Sequence, residues 1–182
     1  MKPLDRYLQN RRINLVKEFL TPADDVLDIG CADGAMFRRL QGRYRYGYGV
    51  DPTLDSEVET ELYHLYPGVL PEALPPGLQA DLITILAVLE HLPPQEQTSL
   101  AKNCEAILKP GGRVVITVPS PRVDDLLHVL GRLRVIDGMS MHEHYGFVPA
   151  HTLRVFAEPD FRLMTHRKFQ FGLNNLFVFE RT

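Results

Sequence analysis

Three segments of this 182-residue chain are apolar almost without interruption, at 26–29, 81–88 and 113–118. A strand with one face in water alternates polar and apolar residues, so runs that fail to alternate must be covered on both sides. Between them the apolar spacing turns helical. Leu4, Leu8, Leu15, Val16, Phe19 and Leu20 mark a first helix that stops before Pro22. A second helix opens at 35–40, and a third, over 94–108, carries Leu100, Cys104 and Ile107 on its inner side. Strands and helices in this alternation predict βαβ units, hence a parallel sheet with helices on both faces.

The remaining segments refine that architecture. A strand over 45–50 is closed by Asp51 and stopped by Pro52, and Lys109-Pro110-Gly111-Gly112 turns the third helix into the 113–118 strand. The stretch 53–79 is the least regular, with a strand at 62–66 followed by Pro67, Pro71, Pro75 and Pro76. At the C-terminal end, strands over 161–169 and 176–180 are separated only by 170–175, too short for a crossover, so they pair antiparallel. The expected fold is α/β: a doubly wound, mostly parallel seven-stranded sheet with an antiparallel C-terminal hairpin.

Composition narrows the class. Residues 1–182 fit one domain with an ordinary core, and a net charge of -3 gives no electrostatic footprint for nucleic acid. Two cysteines, Cys31 and Cys104, are too few for a stapled secreted scaffold. No apolar segment reaches the roughly 20 residues of a membrane span, and 1–12 is polar, so the expectation is a cytoplasmic protein.

The first strand, 26–30, runs into Gly30-Cys31-Ala32-Asp33-Gly34. Gly30 and Gly34, with Ala32 between, keep the turn free of bulk so that a ligand can approach the backbone. The helix starting near Gly34 offers unpaired N–H groups and a positive dipole end. In open parallel sheets ligands bind beyond the carboxyl ends of the strands. Asp51 ends the second strand, where a carboxylate accepts hydrogen bonds from both hydroxyls of a ribose. These features describe a nucleoside site with its adenosine end beside Asp51. Each has a plainer reading: Asp28 as a turn cap, although a carboxylate there is costly without a partner, and Asp51-Pro52 as an ordinary turn pair.

Four segments, VLDIGCADG at 26–34, GYGVD at 47–51, ADLITILAVLEHL at 80–92 and LKPGGRVVITVPSP at 108–121, resemble in order and spacing the class I S-adenosylmethionine-dependent methyltransferases of small single-domain type. The resemblance covers most of 26–121, and the 161–180 hairpin also suits that family. It implies a Rossmann-like methyltransferase fold, S-adenosylmethionine as cofactor, and in-line methyl transfer to a small-molecule acceptor, by O- or C-methylation. By the same resemblance Asp28 and the turn residues Gly30, Cys31, Ala32 and Gly34 hold the methionine portion. Asp51 holds the ribose hydroxyls, Pro52 packs on adenine, and Ala87 and Val88, with Leu89, line the pocket near the reactive methyl. There are two departures. Ala32 replaces a glycine, which should only tighten the turn. The acidic residue that the family often places after the third strand is missing from 67–72 (PGVLPE), leaving Val69 or Leu70 to meet adenine through the backbone, or Glu72 if the loop bends back.

The acceptor side is expected from the first helix (1–21; Tyr7, Arg11, Arg12) and an insertion at 119–150. Within the insertion Leu126, Leu127, Leu130 and Leu133 serve as a lid, a dimer face or core. Candidate catalytic groups are His91, which the resemblance sets at the pocket and which otherwise caps or packs a loop, and His142 and His144 in His142-Glu143-His144-Tyr145. The last two suit a substrate-side base or hydrogen-bond donor, or loop packing. No ligand pattern completes a metal site around them, and no metal is expected. The partners expected are a small-molecule methyl acceptor and at most a second copy of the chain, with neither nucleic acid nor a membrane span. Two other functions share these features. A non-catalytic S-adenosylmethionine-binding regulatory or scaffold protein would keep the site without turnover. A nicotinamide-dependent oxidoreductase would share the glycine turn and the acid on the second strand, but carries an apolar residue where Asp28 stands.

Overall fold

The computed structural model describes residues 3–120 and 148–182. In chain order the elements are α1 (Pro3–Val16), β1 (Asp25–Ile29), α2 (Ala35–Arg39), β2 (Tyr46–Asp51), β3 (Val58–Glu59), β4 (Tyr63–Pro67), β5 (Ala80–Leu86), α3 (Pro94–Ile107), β6 (Leu108–Pro119), α4 (Ala150–Val155), β7 (Phe161–Phe169) and β8 (Asn174–Arg181). Single 3-10 turns follow α1 at Lys17–Phe19 and β5 at Leu89–His91.

One eight-stranded sheet runs in the order β3-β4-β2-β1-β5-β6-β8-β7. The five strands β4, β2, β1, β5 and β6 are parallel, and β8 and β7 close one side antiparallel. The eighth strand, beyond the seven expected, is β3. Its two residues fold back on β4, pairing Val58 with Leu65 and Glu59 with His64. The other differences are at element ends. The first helix gives way to a 3-10 turn after Val16, and β6 begins at Leu108 because α3 passes straight into it, the register with β5 shifting between Ala80 and Leu82.

The apolar runs are buried on both faces, as their lack of alternation requires. All five residues of β1 are buried. Leu27 and Ile29 join one core cluster with Ile83, Ile85, Val114, Ile116 and the inner face of α3. Val26 joins the other, with Leu82, Val115, Phe37, Leu40 and Val16 of α1. At ~1.5–3 kcal/mol for each large apolar side chain removed from water, this two-sided burial holds these strands in the interior of the sheet. Edge strand β7 is the contrast, exposed along most of its length.

Strand order reverses between β1 and β5: the chain leaves β1 toward β2 and β4, then returns to lay β5 and β6 on the other side. The crevice outside the carboxyl ends of β1 and β5 is therefore where a ligand belongs.

Candidate functional site

Three alternate positions of the turn after β1 lie in the left-handed region: Gly30 at φ 78°, Ala32 at φ 45° and Gly34 at φ 74°. Glycine at 30 is required twice over, because a Cβ there would also stand 2.4 Å from Cγ2 of Val88. The turn and the chain leaving β5 are thus in contact, and only bare backbone fits between them. The backbone is pinned as well, the N–H groups of Gly30 and Cys31 both donating to the carbonyl of Val50, at 2.9 and 3.3 Å.

Ala32 does more than tighten this turn. It holds a conformation that costs a non-glycine residue ~1 kcal/mol or more, and its N–H donates to Oδ2 of Asp51 at 2.8 Å. Oδ1 of Asp51 accepts from the N–H and hydroxyl of Thr53, at 2.8 and 2.6 Å. A carboxylate has about four acceptor positions, so Asp51 ties the β1 turn to the end of β2 and keeps little more than one position for a ligand. Gly68 N–H donates to the Asp51 carbonyl at 3.2 Å, which puts the loop after β4 beside it. In that loop Val69 is exposed, while the side chain of Leu70 packs against the core. Pro52 is exposed next to Asp51.

Asp28 lies one strand position inside the turn and is buried. It accepts a hydrogen bond from the Thr84 hydroxyl at 2.6 Å. Burial pushes its carboxyl up to about 7, the Thr84 bond opposing that rise and the charge of Asp51 adding to it. Thr84 is not among the residues expected from the sequence, yet it carries a signal: it is the lone polar residue inside an apolar run, and the parallel register sets it against Asp28. Cys31, by contrast, turns its side chain into the core beside Gly49. Burial raises its thiol further from ionisation, so this residue offers a ligand only its backbone.

At the end of β5, Ala87 is also left-handed, at φ 60°, held by its N–H donating to the Thr117 carbonyl at 2.9 Å. Val88 closes on Gly30, and the following 3-10 turn carries Glu90, buried, and His91, half-buried. The structure therefore brings Asp28, Gly30, Cys31, Ala32, Gly34, Asp51, Pro52, Val69, Leu70, Ala87, Val88 and His91 to one end of the sheet. His142, His144 and the leucines of the insertion lie outside the described residues. Among the described residues no group of three or more His, Cys, Asp or Glu side chains is placed to hold a metal ion. No described helix is long and apolar enough to cross a membrane.

A left-handed turn that leaves no room for a Cβ at Gly30, a buried carboxylate just before it and a second carboxylate on the next strand suit a nucleoside with a charged, methionine-like arm. The fold and this end of the sheet define a class I methyltransferase architecture. A family profile described as "Methyltransferase domain" matches residues 4–163, and the chain belongs to that family. A ubiquinone biosynthesis O-methyltransferase of Pseudomonas putida is 32% identical over 57% of this chain and 48% of its own length. One from Idiomarina loihiensis is 29% identical over 71% of this chain and 58% of its own. The chain thus spans about half the length of these curated relatives. Among solved structures, the fold is shared with the cyclopropane synthase MmaA2 of Mycobacterium tuberculosis, at TM-score 0.70 and 16% identity over 95% of this chain and 84% of that one. It is shared also with the magnesium protoporphyrin IX methyltransferase of Synechocystis solved with bound SAH, at TM-score 0.66 and 16% identity over 97% and 83% of the two chains.

Proposed function

We propose that this chain transfers a methyl group from S-adenosylmethionine to a small-molecule acceptor by in-line displacement, with oxygen as the favoured acceptor atom. The observation that carries the reading is the joined pair of turns: the left-handed cradle at Gly30–Gly34 bonded through Ala32 N–H to Asp51. The match of most of the chain to a methyltransferase family supports it, and relatives named for O-methylation favour oxygen.

In this reading Asp28 and the turn backbone hold the methionine arm, and Asp51 takes one ribose hydroxyl beside its bonds to Ala32 and Thr53. Gly68, Val69 and Leu70 frame adenine with backbone groups, and Pro52 flanks it. The cofactor supplies a methyl group already bonded to a positive sulfur, an excellent leaving group. What the protein adds is alignment, worth ~7–11 kcal/mol in favourable cases. Ala87 and Val88 fix one wall at the methyl end, and the contact of Val88 with Gly30 sets its distance from the turn. In this reading His91 and the first helix belong to the acceptor side, and His142 and His144 stay candidates from the sequence alone.

Calorimetry with S-adenosylhomocysteine tests this. Asp51→Ala should weaken binding at least tenfold, about 1.4 kcal/mol, while the β1–β2 ladder preserves the fold. Unchanged affinity would place the ribose elsewhere, and binding of NADH in preference would replace the reading with an oxidoreductase.

A further inference from the structure

Four described carboxylates are buried: Asp25, Asp28, Asp51 and Glu90. Three of them accept hydrogen bonds from other residues, Asp25 from Arg45, Asp28 from Thr84, and Asp51 from Ala32 and Thr53. Two of the four keep one carboxylate oxygen with no hydrogen-bond partner among the described residues, Asp25 Oδ1 and Glu90 Oε2. Asp25 has its charge met at the other oxygen by Arg45 and, at 3.9 Å, by Lys109, whereas Glu90, 3% exposed, lies at the ligand end of the sheet. A buried carboxylate oxygen left without a donor costs several kcal/mol, and at the ligand end of the sheet a bound molecule can supply the missing donor.

Its position says which ligand. Glu90 follows Val88 by two residues, and Val88 touches the Gly30 turn, so Glu90 belongs to the methyl end of the cradle rather than to the adenine end beside Asp51. The helix α1 packs on β5 and carries Arg12, the charged group that acts on the Glu90 carboxyl. Burial drives that carboxyl up to about 7, opposed by its own backbone N–H and by Arg12. It is thus a group balanced between its two protonation states near neutrality, as a proton acceptor must be.

Building on the methyl-transfer reading above, we propose that Glu90 is a catalytic residue on the acceptor side, its Oε2 accepting the hydrogen bond and then the proton of the acceptor hydroxyl. The acceptor oxygen bonds the methyl carbon as the carbon–sulfur bond of the donor breaks, its electron pair staying on sulfur. The hydroxyl proton ends on Glu90, and the sulfonium charge is discharged. Arg12 is a positioning residue that keeps the carboxylate ionised before the step.

The test uses 4-nitrocatechol, a coloured phenol, titrated into the full chain saturated with S-adenosylhomocysteine. Wild type should bind it with a shift of its spectrum toward the phenolate below the pH at which the free probe ionises. Glu90→Gln should lose the shift and, with S-adenosylmethionine, methylate the probe at least 100-fold more slowly, while its affinity for S-adenosylhomocysteine stays within twofold. Glu90→Asp should recover part of both signals. Arg12→Met should move the rising limb of the pH–rate profile to higher pH, and an unmoved limb would strip Arg12 of its role. If Glu90→Gln keeps the spectral shift and the rate, or if it loses cofactor affinity in proportion, the proposal is wrong and Glu90 is structural. Failure of wild type to bind the probe while S-adenosylhomocysteine binds also overturns it, and leaves the methyl-donor site intact. Failure of S-adenosylhomocysteine itself to bind sinks the underlying reading instead.

Discussion

The two ends of the same parallel sheet treat buried charge in opposite ways. At the amino end, where β1, β2, β5 and β6 begin, Asp25 is paired with Arg45, and Asp81 accepts both from Lys109 Nζ, at 2.8 and 2.9 Å, and from the N–H of Asp25, at 2.8 Å. Burial alone would raise the Asp81 carboxyl, but these bonds take it below its ordinary value. At the carboxyl end the balance is reversed. Burial there outweighs the Thr84 hydroxyl at Asp28 and the Arg12 charge at Glu90, and drives both carboxyls up to about 7. One end is neutralised by the chain itself. The other is left for a ligand to neutralise, and pays in stability.

The largest consequence is a dependence on pH. In the unfolded chain Asp28 and Glu90 release their protons near their ordinary values of 3.8 and 4.5; in the folded chain they hold them up to about 7. Between those limits the folded state binds more protons, so stability is fullest in the acid part of the window and falls as pH rises toward 7. With ~1.4 kcal/mol for every tenfold change in proton affinity, the loss is on the order of 4 kcal/mol at Asp28 and ~3 kcal/mol at Glu90, taken as upper values. Asp81 works in the reverse sense, but below its ordinary value and so outside this range. Urea midpoints should therefore drop from pH 5 to pH 8, and the double variant Asp28→Asn, Glu90→Gln should flatten the slope. Affinity for S-adenosylhomocysteine, whose ammonium favours ionised Asp28, should rise over the same interval. A wild-type profile that is flat, or a slope that survives in the double variant, would erase the contrast between the ends.

A smaller effect tests the close approach that leaves the carboxyl end open. Gly30→Ala brings a Cβ 2.4 Å from Val88 Cγ2 at φ 78°. Overpacking and a left-handed alanine together should remove ~2–4 kcal/mol. Adding Val88→Ala should return the packing part but not the backbone part. If the two substitutions are simply additive in denaturant unfolding, the turn and the exit of β5 are not in contact.

Much of this architecture is legible in the sequence, because it depends on local pattern. Apolar runs that do not alternate locate β1, β5 and the body of β6, and the short 170–175 connection locates the antiparallel pair. The glycine turn and Asp51 are readable for the same reason, since each closes a strand. What is not legible depends on register. Thr84 meets Asp28 only because β5 lies beside β1. Glu90 resembles any polar residue before a proline loop until α1 is seen to pack on β5. Ala32 reads as a mild replacement in the sequence, whereas its φ of 45° shows a strained residue held by Asp51. The strand β3 has two residues, too few for any periodicity.

The amino-end network is invisible in the sequence for a related reason: Asp25, Arg45, Asp81 and Lys109 are far apart along the chain and meet only where four strands begin. Its disruption should have the smallest effect of the three. Lys109 is 38% exposed at its side chain, so water and salt screen its pairing with Asp81 and, at 3.9 Å, with Asp25. Lys109→Met keeps the aliphatic stem and removes the charge, and should cost about 1 kcal/mol at low salt. Because that contribution is electrostatic and exposed, it should shrink in 1 M salt, where the screening length is ~3 Å. The penalty at Asp28 arises from burial and should persist there. Urea unfolding of both variants with and without salt separates the two: equal salt sensitivity would mean that the ends of the sheet do not differ in kind.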